Sequence, residues 1–184
     1  MNDNIGIHWF RLDLRLNDNP SLYEISKEVD NIIPIYIYDN SLITGLASKC
    51  WLEKSLEILN KQLNDLNSKL YIFSGDPKKI IAKLINNEQI THVFWNRLYD
   101  LYSTERDKHI KSFLLNKSII CKSYNGYLLS EPWELKNKSG NHFKVFTPFW
   151  KANFDILQSK KIQLSNIKKN IFYNKSISCN LKVS

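Results

Sequence analysis

The order of apolar segments in the first 126 residues constrains the fold more than any other feature of this sequence. Five segments of strand length, rich in β-branched and aromatic residues, alternate with segments of helical periodicity. This alternation is typical of parallel sheets, because each crossover between parallel strands needs a long connection that is usually a helix. The strands are expected at residues 5–10, 32–39, 69–74, 91–96 and 118–126.

The segments between the strands carry helix signals. Pro20 and Pro77 stand where a first helical residue is expected, and Asn19 or Asp18 is placed to cap the first of these helices. Strands and helices in this order predict an α/β fold, a Rossmann-like, doubly wound, five-stranded parallel sheet with flanking helices. The most secure helix has one apolar face, built from leucines at intervals of three and four: Leu52, Leu56, Leu59, Leu63 and Leu66.

The regular alternation ends after Gly126. We expect an α/β domain over residues 1–130 and an irregular, basic connector and tail over residues 131–184. Residues 136–184 hold ten lysines and one acid, a net charge of +9, whereas residues 1–135 sum to −1. The charge is compatible with weak binding of DNA by the lysine-rich tail. The richness in Asn, Lys and Ile is equally compatible with a compositional drift of the source genome.

Several classes of protein are disfavoured by what the sequence lacks. It has neither a run of about 18 apolar residues nor a signal peptide, so we expect a cytoplasmic protein with no membrane partner. Cys50, Cys121 and Cys179 are far apart and the four histidines are scattered, so neither a disulfide framework nor a metal site is predicted. The glycine-rich phosphate-binding signatures are absent as well.

A charged loop, residues 11–18, follows the first predicted strand. Arg11, Asp13, Arg15 and Asp18 are expected to pair with one another and with backbone groups, which would lock the exit from that strand. Arg11 lies nearest the strand end and is the best candidate of the four to face a ligand or a partner domain.

Aromatic residues are expected mainly in the core. Trp9 and Trp95 end their strands, where core packing or a pocket wall are the alternatives, and Trp51 and Phe73 are predicted to be packing residues.

Six collinear segments between residues 5 and 151 resemble motifs of the DNA photolyase/cryptochrome family. The first is the charged loop itself, and the last contains the aromatic cluster of the connector. The segments read WFRLDLRLNDNPSL, IYIYDN, WLEKSLEILNKQL, LYIFSGDP, VFWNRLYDLYSTERD, and LLSEPWEL followed by FKVFTPFWK.

The resemblance implies the N-terminal light-harvesting domain of a photolyase or cryptochrome. The complete protein would carry a helical FAD-binding domain, in cis or in trans, and would repair pyrimidine dimers in DNA with light or sense blue light. This chain matches the family only to the start of the interdomain connector, so we expect the FAD-binding domain to be absent from it. The resemblance therefore implies no catalytic acid, base or nucleophile here, and makes enzymatic activity of this chain alone uncertain.

The same resemblance implies an antenna chromophore, either a deazaflavin, a flavin or a folate. Matching positions give five candidate cofactor-binding residues: Arg11, Asp39, Asn96, Tyr99 and Arg106. For Arg106 the alternative is an ion pair with Asp100 or Asp107 on its own helix.

The type of antenna stays open on the sequence. Folate-binding members tend to carry Asn-Glu where this chain has Tyr102-Ser103, so folate is disfavoured. Deazaflavin-binding members tend to have an arginine at Leu12 and an acid at Leu98. Two other functions remain as alternatives: a stand-alone nucleotide- or flavin-binding sensory module that uses the same sheet edge, and a truncated remnant without function.

Overall fold

The computed structural model describes residues 4–39, 45–159, 167 and 171–173. Within them, strands and helices alternate as the sequence predicts. The elements are β1 Ile5–Phe10, α1 Pro20–Glu28, β2 Asn31–Tyr38, α2 Leu46–Asn64, β3 Tyr71–Ser74, α3 Pro77–Asn87, β4 Ile90–Asn96, α4 Leu101–Asn116, β5 Ile120–Tyr124 and α5 Phe146–Ser159.

The five strands form one sheet in the order β3-β2-β1-β4-β5. All four strand pairings are parallel, with Ile7 of β1 opposite Ile33 of β2 on one side and Val93 of β4 on the other. The strand order reverses between β1 and β4, which is the topological switch point of a doubly wound sheet. The predicted α/β fold is confirmed.

Helices cover both faces of the sheet and bury two apolar layers. On one face, α3 and α4 contribute Ile80, Ile81, Leu84, Ile110 and Leu114. On the other face, α1 and α2 contribute Leu22, Ile25, Leu56, Leu59 and Leu63. The three central strands, β2, β1 and β4, are mostly apolar because they are buried from both sides, as the strands of parallel sheets generally are.

Side-chain caps fix where three helices begin. The Asn19 side chain accepts a hydrogen bond from the Leu22 amide, with Pro20 as first helical residue, so the predicted cap of α1 is confirmed. Asp76 caps α3 in the same way, and Asp100 caps α4 by accepting a hydrogen bond from the Ser103 amide. These caps place the first turns of α3 and α4 at the carboxyl edge of the sheet.

The chain divides into two compact units, residues 1–126 with 165–184 and residues 127–164. The second unit contains α5, in a segment for which the sequence predicted irregular structure. Pro148 lies in the first turn of α5, where a proline is tolerated. In the first unit, Phe172 forms a parallel bridge to Ile32 of β2, so part of the tail returns to the sheet.

One core prediction is wrong. Phe73 is 2% exposed as expected, but Trp51 is 78% exposed on α2. The buried leucines of α2 define a face that Trp51 does not share, because it is five residues before Leu56.

In the described part of the chain, no helix combines the length and apolar character needed to span a membrane.

Candidate functional site

A groove of about 920 Å³ lies at the carboxyl ends of β2 and β3, between α3 and the first half of α4. Ligands of open α/β sheets bind beyond this edge of the sheet. The groove belongs entirely to the first unit. Its lining combines a turn, two helix ends and the residue after β2: Asp39, Gly75, Asp76, Pro77, Lys78, Leu101, Tyr102, Glu105, Arg106 and His109.

An ion pair forms the inner part of this groove. Arg106 Nη1 lies 3.2 Å from Asp39 Oδ2, and the Tyr102 hydroxyl donates to the same oxygen at 3.2 Å. The side chains of Arg106 and Asp39 are 9% and 10% exposed. Arg106 also contacts Asp107 through Nη2 at 3.1 Å, which fixes its guanidinium between two carboxylates.

The outer walls of the groove are more exposed and partly apolar. Leu101 is 80% exposed and Tyr102 49% exposed, although both line a concave surface. The guanidinium of Arg106 lies 5.7 Å from the centre of the Tyr102 ring, so the ring is held from one side. Lys78 and His109 add polar groups that can meet an anionic or hydrogen-bonding substituent. The combination suits a planar, conjugated ligand with polar edges.

Beneath the groove, the ion pairs continue into the core. Arg11 Nη1 contacts Asp107 Oδ2 at 2.7 Å, and Trp95 Nε1 donates to the same carboxylate oxygen at 3.0 Å. Arg11 also donates to the backbone carbonyl of Asn96. Burial lowers the pKa of Arg11, while the charge of Asp107 opposes this shift. This layer anchors the residues that shape the groove.

The switch point between β1 and β4 is filled by the protein itself. Asn96 Nδ2 donates to Asp13 Oδ2 at 2.5 Å and to Asn19 Oδ1 at 2.7 Å, while its Oδ1 accepts from the Ser21 amide at 3.2 Å. A Cβ atom on Gly126 would lie 2.5 Å from the Cβ of Asn96. The place where many doubly wound sheets bind nucleotides is therefore occupied by side chains and backbone.

The five predicted cofactor-binding residues fall into two groups. Asp39 and Arg106 line the groove and contact each other. Arg11 and Asn96 are buried in the layers below, and Tyr99 is half-buried in the loop before α4, outside the groove lining. Ligand contact by any of the five stays a prediction. Arg106 forms ion pairs with Asp107 on its own helix and with Asp39, and its contact with a cofactor stays a prediction.

Sequence reasoning missed other residues of the groove wall. Tyr102, Glu105 and His109 are spaced by three and four residues, so a helix over this segment places them on one face. The sequence predicts that a helix starts at the Gly75-Asp76-Pro77 turn, but it does not predict that this turn lies next to the Tyr102, Glu105 and His109 face of α4. The sequence alone does not show that α3 lies beside α4, and this tertiary arrangement brings the turn next to that helix face.

The fold defines a class of protein, an α/β domain of the Rossmann type. The DNA photolyase family model matches residues 6–166, and the chain belongs to this family. The resemblance of the sequence motifs is thereby confirmed. The match begins in β1 and continues beyond α5, so it includes every element that forms the groove.

Relatives of known name include both branches of the family. The deoxyribodipyrimidine photo-lyase of Agrobacterium fabrum is 39% identical over 147 residues, which are 79% of this chain and 31% of that protein. Cryptochrome-2 of Arabidopsis thaliana is 35% identical over 159 residues, 84% of this chain and 26% of that protein. The chain thus spans about a third or less of these relatives.

Solved structures agree with the sequence relatives. A class III photolyase from Agrobacterium tumefaciens superposes with a TM-score of 0.88 at 33% identity, over all of this chain and 38% of that one. A photolyase from Sulfolobus tokodaii, solved with two FAD molecules, has a TM-score of 0.76 at 23% identity and shows the shared fold. The chain corresponds to the N-terminal α/β part of such proteins.

Proposed function

We propose that this chain is the light-harvesting domain of a photolyase or cryptochrome-type flavoprotein, and that the groove between α3 and α4 holds its antenna chromophore. The observation that carries the proposal is the Asp39–Arg106–Tyr102 contact set at the inner end of an open groove. A fixed ring and a fixed ion pair at the carboxyl edge of the sheet suit a ligand that must be held in one orientation.

The dimensions and chemistry of the groove support this proposal. Its volume of about 920 Å³ lies in the upper range of small-molecule sites. Leu101 and Tyr102 offer an apolar wall to an aromatic ring system, and Lys78 and His109 belong to the same lining and can meet polar substituents. Deazaflavin, flavin and folate all combine a conjugated ring with polar edges, and the sequence departures at Tyr102 and Ser103 disfavour folate among the three.

The role of the protein in light harvesting is to bind and orient. When bound, the chromophore supplies absorption of light and passes the excitation energy to a flavin. Tyr102 is restrained by its hydrogen bond to Asp39 and by the guanidinium of Arg106, so its ring presents a defined face. No proton transfer or bond formation by residues of this domain is needed for that role.

The activity of the complete protein is proposed from the family. A helical FAD-binding domain, in cis or in trans, would use light to repair pyrimidine dimers in DNA or to signal. DNA would be bound by the complete protein, with at most a weak contribution from the lysine-rich tail.

A ridge on α5 is our proposed contact with the helical domain. Phe146, Trp150 and Phe154 follow one another at four-residue intervals and are 70%, 41% and 46% exposed. The rings of Phe146 and Trp150 stack with an interplanar angle of 11°. Exposed aromatic ridges of this size usually mark interaction surfaces.

The alternative function, a stand-alone nucleotide-binding module at the switch point, receives less support. Asn96, Asp13 and Asn19 fill that crevice with mutual hydrogen bonds, and Gly126 closes against Asn96. A ligand there would have to displace a satisfied polar network, which is costly.

A titration tests the proposed site. FMN, 8-hydroxy-5-deazariboflavin and methenyltetrahydrofolate are titrated with the chain, and binding is followed by fluorescence anisotropy. At least one probe is expected to bind, with an affinity reduced about tenfold or more in Leu101→Asp, because an acid in the apolar wall disfavours the ring system. Leu115→Asp is the matched control, since Leu115 is exposed on the same helix outside the groove. Equal affinity in both variants would contradict the proposed site.

A further inference from the structure

Two cations lie near the ring of Trp9, a buried tryptophan that contacts the groove residue Arg106. The guanidinium of Arg106, which lines the groove, lies 5.0 Å from the centre of the Trp9 ring. The guanidinium of Arg11 lies 5.1 Å from the same ring. Trp9 is 1% exposed, so water does little to weaken these interactions.

The second tryptophan of the core, Trp95, also has two cations near its ring, Arg11 at 5.9 Å and Lys111 at 5.8 Å from the ring centre, and it differs from Trp9 in its hydrogen bonding. Trp95 packs edge-on against Trp9 with ring centres 5.7 Å apart. Its Nε1–H donates to Asp107 at 3.0 Å, whereas Trp9 Nε1 has no hydrogen-bond partner among the described residues. An indole beside a carboxylate loses an electron more readily, since the anion stabilises the cation that remains and accepts its proton. Trp9 has neither advantage.

We infer that Arg106 and Arg11 make Trp9 harder to oxidise, so that Trp9 does not quench a chromophore in the groove. The inference rests on the proposed function. The step that is suppressed moves one electron from the Trp9 indole to the excited chromophore and leaves an indole cation in the core. Two nearby positive charges disfavour a third one on the ring between them. Such protection is useful in a light-harvesting site, because electron transfer from a neighbouring indole destroys the excited state.

Asp39 and Asp107 are the counter-charges of these two cations. Both carboxylates contact the guanidinium groups, and they also hold those groups in position over the ring. Asp107 accepts hydrogen bonds from Arg11, Arg106 and Trp95, and among the described residues it accepts none from Trp9. The arrangement therefore pairs the cations without offering Trp9 a proton acceptor.

The test uses a dye attached to the groove, so it does not depend on chromophore binding. An oxazine maleimide, whose fluorescence is quenched by electron transfer from tryptophan, is coupled to Glu105→Cys, since Glu105 lines the groove. Cys50, which is exposed, and Cys179 are replaced by serine. Cys121 can stay, because burial raises the pKa of its thiol to about 12 and keeps it unreactive. The fluorescence lifetime of the dye is then measured in a set of variants.

The expected lifetimes distinguish protection from a structural role. Arg106→Met is expected to shorten the lifetime about twofold or more, because one of the two cations over Trp9 is removed. Trp9→Phe in the Arg106→Met background is expected to restore it, and Arg106→Lys to preserve it. Lys83→Met, the loss of an exposed cation on α3, is the matched control and should have no effect.

Three outcomes would overturn the inference. The first is an unchanged lifetime in Arg106→Met, and the second is a shortened lifetime that Trp9→Phe does not restore. The third needs no change at Arg106: if Trp9→Phe alone lengthens the lifetime, Trp9 already quenches and is not protected. If none of the free chromophores binds in the titration above, the proposed binding site is wrong. The lifetime measurement still reports on the oxidation of Trp9, because its dye is attached covalently.

Discussion

Arg11 Nη1 donates to Asp107 Oδ2 at 2.7 Å and joins the end of β1 to the middle of α4, 96 residues away in the sequence. The two side chains are 4% and 10% exposed. Because Asp107 also contacts Arg106, this pair connects the first loop of the domain to the wall of the groove. The loop that follows β1 thus has a structural role in shaping the site.

Removing one partner of this pair is expected to destabilise the domain strongly. Asp107→Ala should lower the free energy of unfolding by about 3–5 kcal/mol, since Arg11 would remain buried without its main counter-charge. Urea unfolding followed by circular dichroism measures the change. The control is Lys108→Ala, which breaks an exposed pair with Glu105 and should cost less than about 1 kcal/mol. Similar losses in the two variants would contradict a dominant role for the buried pair.

Gly126 is required by its close approach to Asn96. A methyl group at this position would lie 2.5 Å from the Cβ and 2.7 Å from the Cγ of Asn96. Gly126→Ala is therefore expected to lower the free energy of unfolding by about 1–3 kcal/mol through overpacking. The same substitution in an Asn96→Gly background, which removes the Cβ that the new methyl group would meet, should cost clearly less, and a double-mutant cycle measures the difference. A cost that is independent of the residue at position 96 would place the clash elsewhere.

Stability is expected to fall in mild acid because of His8. Burial lowers the pKa of this fully buried histidine from 6.5 to about 4. Its contribution is fully present above pH 6.5 and is lost as the pH falls toward 4, since the unfolded chain takes up the proton first. Between about pH 7.5 and pH 5, the wild type should lose about 2 kcal/mol more than His8→Gln.

Urea unfolding at several pH values measures this difference. His142→Gln, which changes an exposed histidine, serves as the control and should keep the wild-type profile. Parallel profiles for the wild type and His8→Gln would show that His8 is not the residue responsible.

Binding of DNA by the chain alone is expected to be weak, with an affinity that falls steeply as the salt concentration rises. The ten lysines after residue 135 supply phosphate contacts and no base-reading pattern. Replacing Lys160, Lys161, Lys168 and Lys169 with glutamine should reduce the slope of log K against log salt by about 3, if each lysine meets a phosphate. Replacing four acid-paired or exposed lysines before residue 126 is the control. A gel-shift midpoint that does not respond to salt would contradict this expectation.

Much of the fold could be predicted from the sequence because its signals are local. The strand-helix alternation, the cap at Asn19 and the turn before Pro77 each depend on a few neighbouring residues, and the structure confirms them. Trp51 shows where local reasoning fails, since its size suggested burial although its position on α2 lies off the leucine face. The helix α5 lies in the segment after Gly126, for which the end of the regular alternation predicts irregular structure.

The site was less predictable because it depends on contacts between distant elements. Asp39 and Arg106 were selected by resemblance, but their contact requires α4 to pack beside the end of β2. Tyr102 was noted only as a departure from the folate pattern, although it donates to Asp39 in the groove. Arg11 is buried beneath the groove because it pairs with Asp107, a residue 96 positions away in the sequence.

The position of a bound chromophore tests the central claim most directly. The chain labelled with ¹⁵N is mixed with whichever of the three probes binds, and the shifts of its backbone amide signals are mapped by NMR. We predict that the largest shifts belong to the groove, at Gly75, Lys78, Tyr102 and His109. Shifts centred on Asn19, Asn96 and Gly126 would place the ligand at the switch point and contradict the proposed site, as would the absence of binding by all three probes.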